Sequence, residues 1–430
     1  MKRCVLIMMA ALGCWGARAA TGGEGPAGWF ASHGRGKLEY RLYWHAGSRP
    51  QDSRKRRSEY RLRVELDIPL GERARLFVAP ELRWDSHHLS AGALDERNRD
   101  EVRRPIFHFR EAYVEWRPGR WDLRFGEQIF AWGTADGFNP TDNLNPRDYL
   151  DLVDNEKIPV LALAATYHVS DVTSLQVVLL PLFVPSRFDG QDSRWSFFPA
   201  APPLTFERDR PADSSAAMQF ALRAKTSVGG WDLSLSYFDG YNDIARPSLR
   251  LDGQGQPERV HFDYDKVRVL GFDFATTWRN IGIHGEIAHT WTRGHRDDSY
   301  LQYVFGIDYT FADIRPGQNL RLILEYAGER RTSKGRDLDG VPPTRLGRYL
   351  DGSLLARAVY EFSETASVEI KACATLRGEN NYYIQPSFTF DVRDDLRVKV
   401  GADIFMGDDD TFFGQFDHND RFFVILEYYF

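Results

Sequence analysis

Three cysteines occur in 430 residues, and two of them, Cys4 and Cys14, lie in the first twenty. If that stretch is removed, Cys373 stands alone and no intramolecular disulfide can form. A cysteine-based zinc site is excluded on the same ground. Excess positive charge is also missing: the net charge is -6, so nothing points to a nucleic-acid partner. Beyond the first twenty residues there is no run of about 18 apolar residues, so no helix is expected to cross a bilayer. Mean hydropathy is low, at -0.45. Aromatic residues nevertheless reach 14%. An aromatic-rich chain without a helical span fits a transmembrane β-barrel, in which alternation dilutes the apolar residues. It also fits a large secreted β-protein, so the finer patterning has to decide.

The start of the chain is patterned as a secretory leader. Lys2 and Arg3 precede an apolar stretch, Val5 to Leu12, and Ala17-Arg18-Ala19 offers a cleavage site. Residues 1–20 are therefore expected to be a signal peptide, 21–36 a flexible periplasmic lead, and 37–430 one barrel. A lipoprotein cut before Cys14 is disfavoured by Ala11 at the head of that motif.

The other end reads D-R-F-F-V-I-L-E-Y-Y-F, Asp420 to Phe430. Strand side chains alternate between faces, which puts Phe422, Val424, Leu426, Tyr428 and Phe430 on one side. Arg421, Phe423, Ile425, Glu427 and Tyr429 fall on the other. This resembles the terminal strand that outer-membrane assembly machinery reads. About eighteen such segments follow one another, among them Leu38–Trp44 and Tyr60–Ile68. Short joins such as Gly71-Glu72, Gly229-Gly230 and Arg279-Asn280 alternate with long ones such as Asp85–Arg104, Glu127–Pro159 and Pro185–Ala216. Short periplasmic turns and long extracellular loops make this rhythm. Two joins depart from it, Ala312–Asn319 and Arg377–Gly378. The expected fold is an all-β transmembrane antiparallel barrel of about 18 strands, with a range of 16–18 and both termini periplasmic. Of 11 tryptophans, seven share the outward parity. Trp116, Trp121, Trp231 and Trp278 sit beside short turns, and Trp44, Trp84 and Trp291 beside long loops, as two interfacial belts require.

Outward parity fixes the inward residues, which carry both signs of charge. If the last strand closes on the first, Arg41, Arg61, Arg63, Arg75 and Arg83 come near Arg397, Lys399 and Arg421 as a basic wall. The candidate partner is the segment Glu127–Lys157, which holds Trp132, Asp136, Asp142, Asp148, Asp151 and Asp154. Its length marks it as functional or disordered, and its apolar residues argue against disorder. Asn139-Pro140 and Asn145-Pro146 set turns in it. It is expected to fold into the lumen as a constriction loop facing the basic wall, with the resulting field orienting polar solutes. Val160–Ala165 and Val177–Phe183 are apolar on both faces. They suit either a packed loop or a track for lipid-like cargo.

Catalytic and metal patterns are weak. His284 and His289 lie on opposite faces of one strand, with no serine motif beside them. His87-His88 reads as a solvated loop, and Gly407–Asp410 lacks the spacing of a calcium loop. The basic run Arg54-Lys55-Arg56-Arg57 could hold lipid phosphates. No enzyme activity, cofactor or metal is expected.

The leader, Phe430, and R-F-G-E-Q-I-F-A-W-G with the later N-P and D-N-L-N-P-R-D together resemble outer-membrane porin-like barrels, the broad alginate-export-like and uncharacterised group. Gly126, Gln128, Trp132, Gly133, Pro146 and Asp148 carry the resemblance, and Phe412–Phe423 adds to it. It implies a porin-class barrel in the bacterial outer membrane. It does not imply alginate, whose polyuronate chain would want an overwhelmingly basic lumen. The expected partners are outer-membrane lipid and lipopolysaccharide, the barrel assembly machinery, and small polar or anionic solutes passing by diffusion. Two alternatives stay open: an outer-membrane partner of an exporter of lipid-like cargo, and a plugged structural barrel.

Overall fold

The structure is a computed structural model that describes residues 26–50, 52–87, 104–198, 203–211, 217–335, 348–378 and 380–430. The leader, residues 1–20, and His88 lie outside the described residues.

Alternation of apolar and polar residues does not bury the outer sheet face in a core here, because among the described residues nothing covers it. The strands instead close on one another. They are β1 (Gly34–His45), β2 (Arg56–Pro69), β3 (Ala74–Asp85), β4 (Phe107–Trp116), β5 (Trp121–Gln128), β6 (Val160–His168), β7 (Thr173–Leu180), β8 (Gln219–Val228) and β9 (Trp231–Tyr241). They continue as β10 (Lys266–Trp278), β11 (Ile281–Thr292), β12 (Ser299–Arg315), β13 (Gln318–Ser333), β14 (Ser353–Ser363), β15 (Ala366–Thr375), β16 (Asn381–Arg393), β17 (Leu396–Gly407) and β18 (Arg421–Tyr429). Each pairs antiparallel with its neighbours in sequence, and β18 pairs with β1, so the 18-stranded sheet has no free edge. Closure brings Leu38 opposite Tyr428 and Trp44 opposite Phe422. Gly36 and Phe430 exchange backbone bonds of 2.7 and 3.0 Å at the end of this seam.

The segment 21–36 differs from a flexible lead where it is described. Pro26–His33 forms helix α1, and β1 starts at Gly34, three residues earlier than expected. The reason is aromatic packing: Phe30 of α1 stacks with Phe430, ring centroids 6.3 Å apart.

Tight turns close one end of the barrel. Gly229 and Gly230 adopt φ values of 60° and 82°, the left-handed pair that a two-residue hairpin needs. The join at Ala312–Asn319 is another such turn. β12 runs on to Arg315 and only Pro316 and Gly317 intervene before β13. The alternation breaks there because the register shifts between Phe311 and Arg315, where Asp313 takes a φ of 51°. Long connections occupy the other end. Two of them, after β7 and after β9, together build a three-stranded sheet of Thr205–Asp209, Pro257–Asp263 and Arg246–Leu251. Outward residues such as Phe125, Leu235, Phe305 and Ile307 are exposed, as are Trp44, Trp116, Trp121, Trp231, Trp278 and Trp291 near the strand ends. Trp84 is half-buried at the long-loop end. No helix of the described residues is long and apolar enough to cross a membrane.

Among the described residues, two apolar clusters lie inside the barrel. One joins Phe130, Trp132 and Leu144 of the loop after β5 to Val160, Ala162, Val178, Leu180, Ala221, Val267 and Val269 of the wall. The other gathers Trp195, Phe405, Phe413 and Phe416.

Candidate pore constriction

The loop after β5 owes its path to a few polar anchors. Asn145 ties its base. The side-chain oxygen accepts from the Phe130 amide at 2.7 Å, and the side-chain nitrogen donates to the carbonyls of Gln128 and Ile158 at 3.1 and 2.9 Å. Phe130 and Trp132 then cover the apolar inner faces of β6–β8, and the Trp132 indole N–H donates to Gln176 at 3.1 Å. The double-sided apolar stretches Val160–Ala165 and Val177–Phe183 thus carry loop on one side, which leaves their inner faces unavailable as an open track.

The far turn of the loop crosses to β11 and β13. Glu286 of β11 accepts from the amides of Thr134 and Ala135 at 2.7 and 2.9 Å and from the Asn139 side chain at 2.9 Å. It also accepts from the amide and hydroxyl of Thr141, at 3.2 and 2.8 Å. Glu325 of β13 accepts from the amides of Asp136 and Gly137 at 2.6 and 2.8 Å, and is within 2.8 Å of His284. Two buried carboxylates therefore satisfy a run of backbone donors that would otherwise be stranded inside the lumen.

The returning limb faces the seam. Arg147-Asp148 pairs with Glu156-Lys157 as a short ladder, and the turn between them carries the acids. Asp151 accepts from Arg57 of β2 and, at 2.6 and 3.1 Å, from Arg421 of β18. Asp154 bonds Arg41 and, at 2.7 Å, Arg61, with Arg83 at 3.9 Å. Glu156 accepts from Arg61 at 2.6 Å and lies 3.7 Å from Arg83. Asp148 accepts from Arg104 at 2.7 and 3.1 Å. Burial opposes ionisation of Asp148, yet the guanidinium groups of Arg104 and Arg187 hold its carboxyl down to about 2. Burial likewise works against Asp151 and Asp154. Arg421 and Arg57 keep the first well below the usual carboxylate range, and Arg41, Arg61 and Arg83 do so for the second. Asp142 goes the other way: burial raises its carboxyl although Lys157 is bonded to it.

Of the eight residues expected as a basic wall, Arg41, Arg61, Arg83 and Arg421 meet the loop acids. The other four face wall acids. Arg63 bonds Glu81 at 2.6 Å, Arg75 bonds Glu115 at 2.7 Å, Arg397 bonds Asp391 at 2.6 Å and Lys399 bonds Glu369 at 3.2 Å. The wall carries its own acids at neighbouring positions, Glu39, Glu59, Glu81 and Glu115, so it is compensated rather than uniformly basic.

Some contributors escape a reading by periodicity. By sequence Arg57 belongs to a basic run that reads as loop. It sits instead in β2, fully buried, bonded to Asp85 at 2.7 Å and Glu59 at 2.8 Å. Arg104, from the next long connection, is buried as well. Trp195 enters from the connection after β7 and stacks under Arg421, whose guanidinium carbon is 5.4 Å from the ring and 4.4 Å from Tyr43. Asp209, His261 and Asp263 on the three-stranded sheet lie within metal-ligand spacing, although Arg246 already bonds Asp263 at 2.9 Å.

Loop and seam fill one side of the lumen. On the other, a cavity of about 240 Å3 separates the loop from β13–β17. Its long-loop half is aromatic, with Tyr149, Phe188, Phe197, Tyr349, Phe412 and Phe413. Tyr349 and Phe412 stack face to face at 3.9 Å. Its deeper half is charged, with Asp136 and Glu325 on the loop side and Arg357, Lys371 and Gln385 beyond. Arg357 bridges the two, bonded to Asp136 at 2.8 Å and to Glu369 at 2.7 Å. Lys371 is half exposed and its nearest acid is 3.9 Å away.

Residues 46–304, from the end of β1 into β12, match a family described as a protein of unknown function, DUF1302. The chain belongs to this family. Among solved structures, the outer membrane protein OpdK of Pseudomonas aeruginosa aligns with this DUF1302 chain at a TM-score of 0.51 and 12% identity, covering 93% of this chain and 99% of that one. The same Pseudomonas aeruginosa protein solved with vanillate gives 0.50 at 12% identity, over 92% and 98%. OccK11 (OpdR) of Pseudomonas aeruginosa gives 0.49 at 12%, over 92% and 95%. The likeness to OpdK is one of fold, the outer-membrane porin barrel. No curated protein sequence matches the chain.

Proposed function

We propose that this DUF1302 barrel is a channel of the bacterial outer membrane for passive passage of small polar or anionic solutes. Its short turns and both termini face the periplasm, its long loops face outward, and the outer-membrane assembly machinery inserts it. One observation carries this reading: the loop is pinned across the lumen at both limbs, and beside it remains a cavity whose deeper half is lined by Asp136, Arg357 and Lys371. A plugging loop would have no reason to leave charged groups facing a gap, whereas a constriction sorts solutes through such groups. The aromatic approach above it suits solutes with a flat apolar part and an anionic end, and vanillate in the OpdK structure is of that kind.

Reversal potentials in a planar bilayer under a KCl gradient test this. Wild type is expected to conduct, and Arg357→Glu with Lys371→Glu to move selectivity toward cations. A folded wild-type barrel that never conducts supports the plugged alternative. Conductance with unchanged selectivity in the double variant places the path elsewhere.

A further inference from the structure

The long-loop rim of the barrel is not uniform on its outer face. Around most of the circumference the outermost outward residues are apolar or aromatic, as at Trp44, Met218, Tyr382, Met406 and Phe422. From β9 to β13 the same level carries charge. Asp239, Arg268, Arg293 and Arg330 lie there, three arginines to one acid. Asp239 draws two of them together: one of its oxygens accepts from Arg268 Nε at 3.1 Å and from Arg293 Nη2 at 2.6 Å. A guanidinium has about five N–H donors, so both groups keep most of theirs for another acceptor. Between them is a groove lined by Arg268, His289, Trp291, Arg293 and Thr332. Its floor is ordered: the His289 and Trp291 rings lie 4.1 Å apart, and His289 Nε2 is 3.0 Å from the Thr332 hydroxyl. Directly below runs an exposed apolar stripe, Leu270 and Phe272 on β10 and Phe305 on β12.

Cations at the edge of a hydrocarbon layer need an anionic partner that reaches them from the lipid side. Planar guanidinium forks match phosphate oxygens in pairs. Trp291 sits at the depth where a ring faces head groups. The stripe below offers acyl chains a surface that a free phosphate ion would not use. We propose that this groove binds the phosphorylated head group of an outer-leaflet glycolipid, with its acyl chains along Leu270, Phe272 and Phe305. The proposal rests on the membrane orientation given above, which places this rim in the outer leaflet.

The test uses the full barrel in detergent and native mass spectrometry with diphosphorylated lipid A, its dephosphorylated form, or inorganic phosphate. Wild type is expected to retain the diphosphorylated lipid. Arg268→Gln with Arg293→Gln is expected to retain about tenfold less, the scale of losing charge-assisted bonds to one phosphate. Arg293→Lys, which keeps charge and loses the fork, is expected to fall between and serves if the double variant fails to fold. Equal retention by wild type and variants overturns the proposal. So does equal retention of the dephosphorylated lipid, or competition by inorganic phosphate as effective as lipid. Bilayer conductance of the same variants is expected to stay at the wild-type value, so a barrel that binds lipid but does not conduct separates this inference from the channel reading.

Discussion

Replacing Glu286 by alanine should open the channel without unfolding the barrel. The Glu286 carboxylate accepts five hydrogen bonds from Thr134, Ala135, Asn139 and Thr141. A hydrogen bond contributes about 1 kcal/mol net, and more when one partner is charged. Five would sum to about 5 kcal/mol if independent. They are not independent, because Glu325 still holds Asp136 and Gly137, and water can reach the freed amides through the neighbouring cavity. A loss of about 3 kcal/mol in docking the 134–141 turn is the reasonable scale, or about two orders of magnitude in its undocked fraction. Asp151 and Asp154 continue to hold the other limb, so the change stays local. Single-channel recordings should show higher mean conductance and added current flicker. Glu286→Gln keeps the shape but presents an amide NH2 to donors, and should lie between. A folded Glu286→Ala barrel with wild-type conductance and noise would falsify the anchoring role.

Three further outcomes follow from the same geometry. Asp151→Ala leaves Arg57 and Arg421 buried with only their wall acids, and should destabilise the folded barrel by about 2–3 kcal/mol, below the ~3–5 kcal/mol of a fully stripped buried pair; unchanged urea midpoints would contradict it. The carboxyls of Asp148, Asp151 and Asp154 are held below their ordinary values, so their stabilisation is complete above about pH 4.5. It drains away as pH falls toward about 2 for Asp148 and in still stronger acid for Asp151 and Asp154, so conductance should be flat from neutrality down to about pH 4 and rise only in stronger acid. A rise near neutrality would show that other groups control the loop. At the seam, a Cβ at position 36 would lie 2.2 Å from the Phe430 ring. Gly36→Ala should displace that ring and lower stability by about 1–2 kcal/mol, visible as a lower temperature for loss of the compact gel band.

The barrel itself was legible because a two-residue period leaves a trace in every strand, and turn length marks which end of the barrel each join occupies. The strand starts near Arg75, Trp231 and Ile281 needed nothing more. Docking of the loop was only partly legible. The acids Asp148, Asp151 and Asp154 could be seen as complementary to arginines, but their hydrogen-bonded partners lie between 44 and 270 positions away and no local pattern pairs them. Glu286 and Glu325 looked like any other inward acids, since what distinguishes them is the backbone of another segment. Arg57 was misplaced because a basic run resembles a solvated loop whether or not a strand begins inside it. Trp195 left no trace, because its connection has no periodicity to interrupt.

Asp151 also bears on the order in which the molecule is made. Its carboxylate is shared by Arg57, near the start of the barrel, and Arg421, on the strand that closes it. The two cations come side by side only when β18 has joined β1. A chain still missing its final strand therefore holds Asp151 through Arg57 alone, while Asp154 and Glu156 already have Arg41 and Arg61 of β1 and β2 beside them. Completing the clasp is thus tied to closure of the barrel, and the doubly bonded Asp151 reports that the last strand is in place.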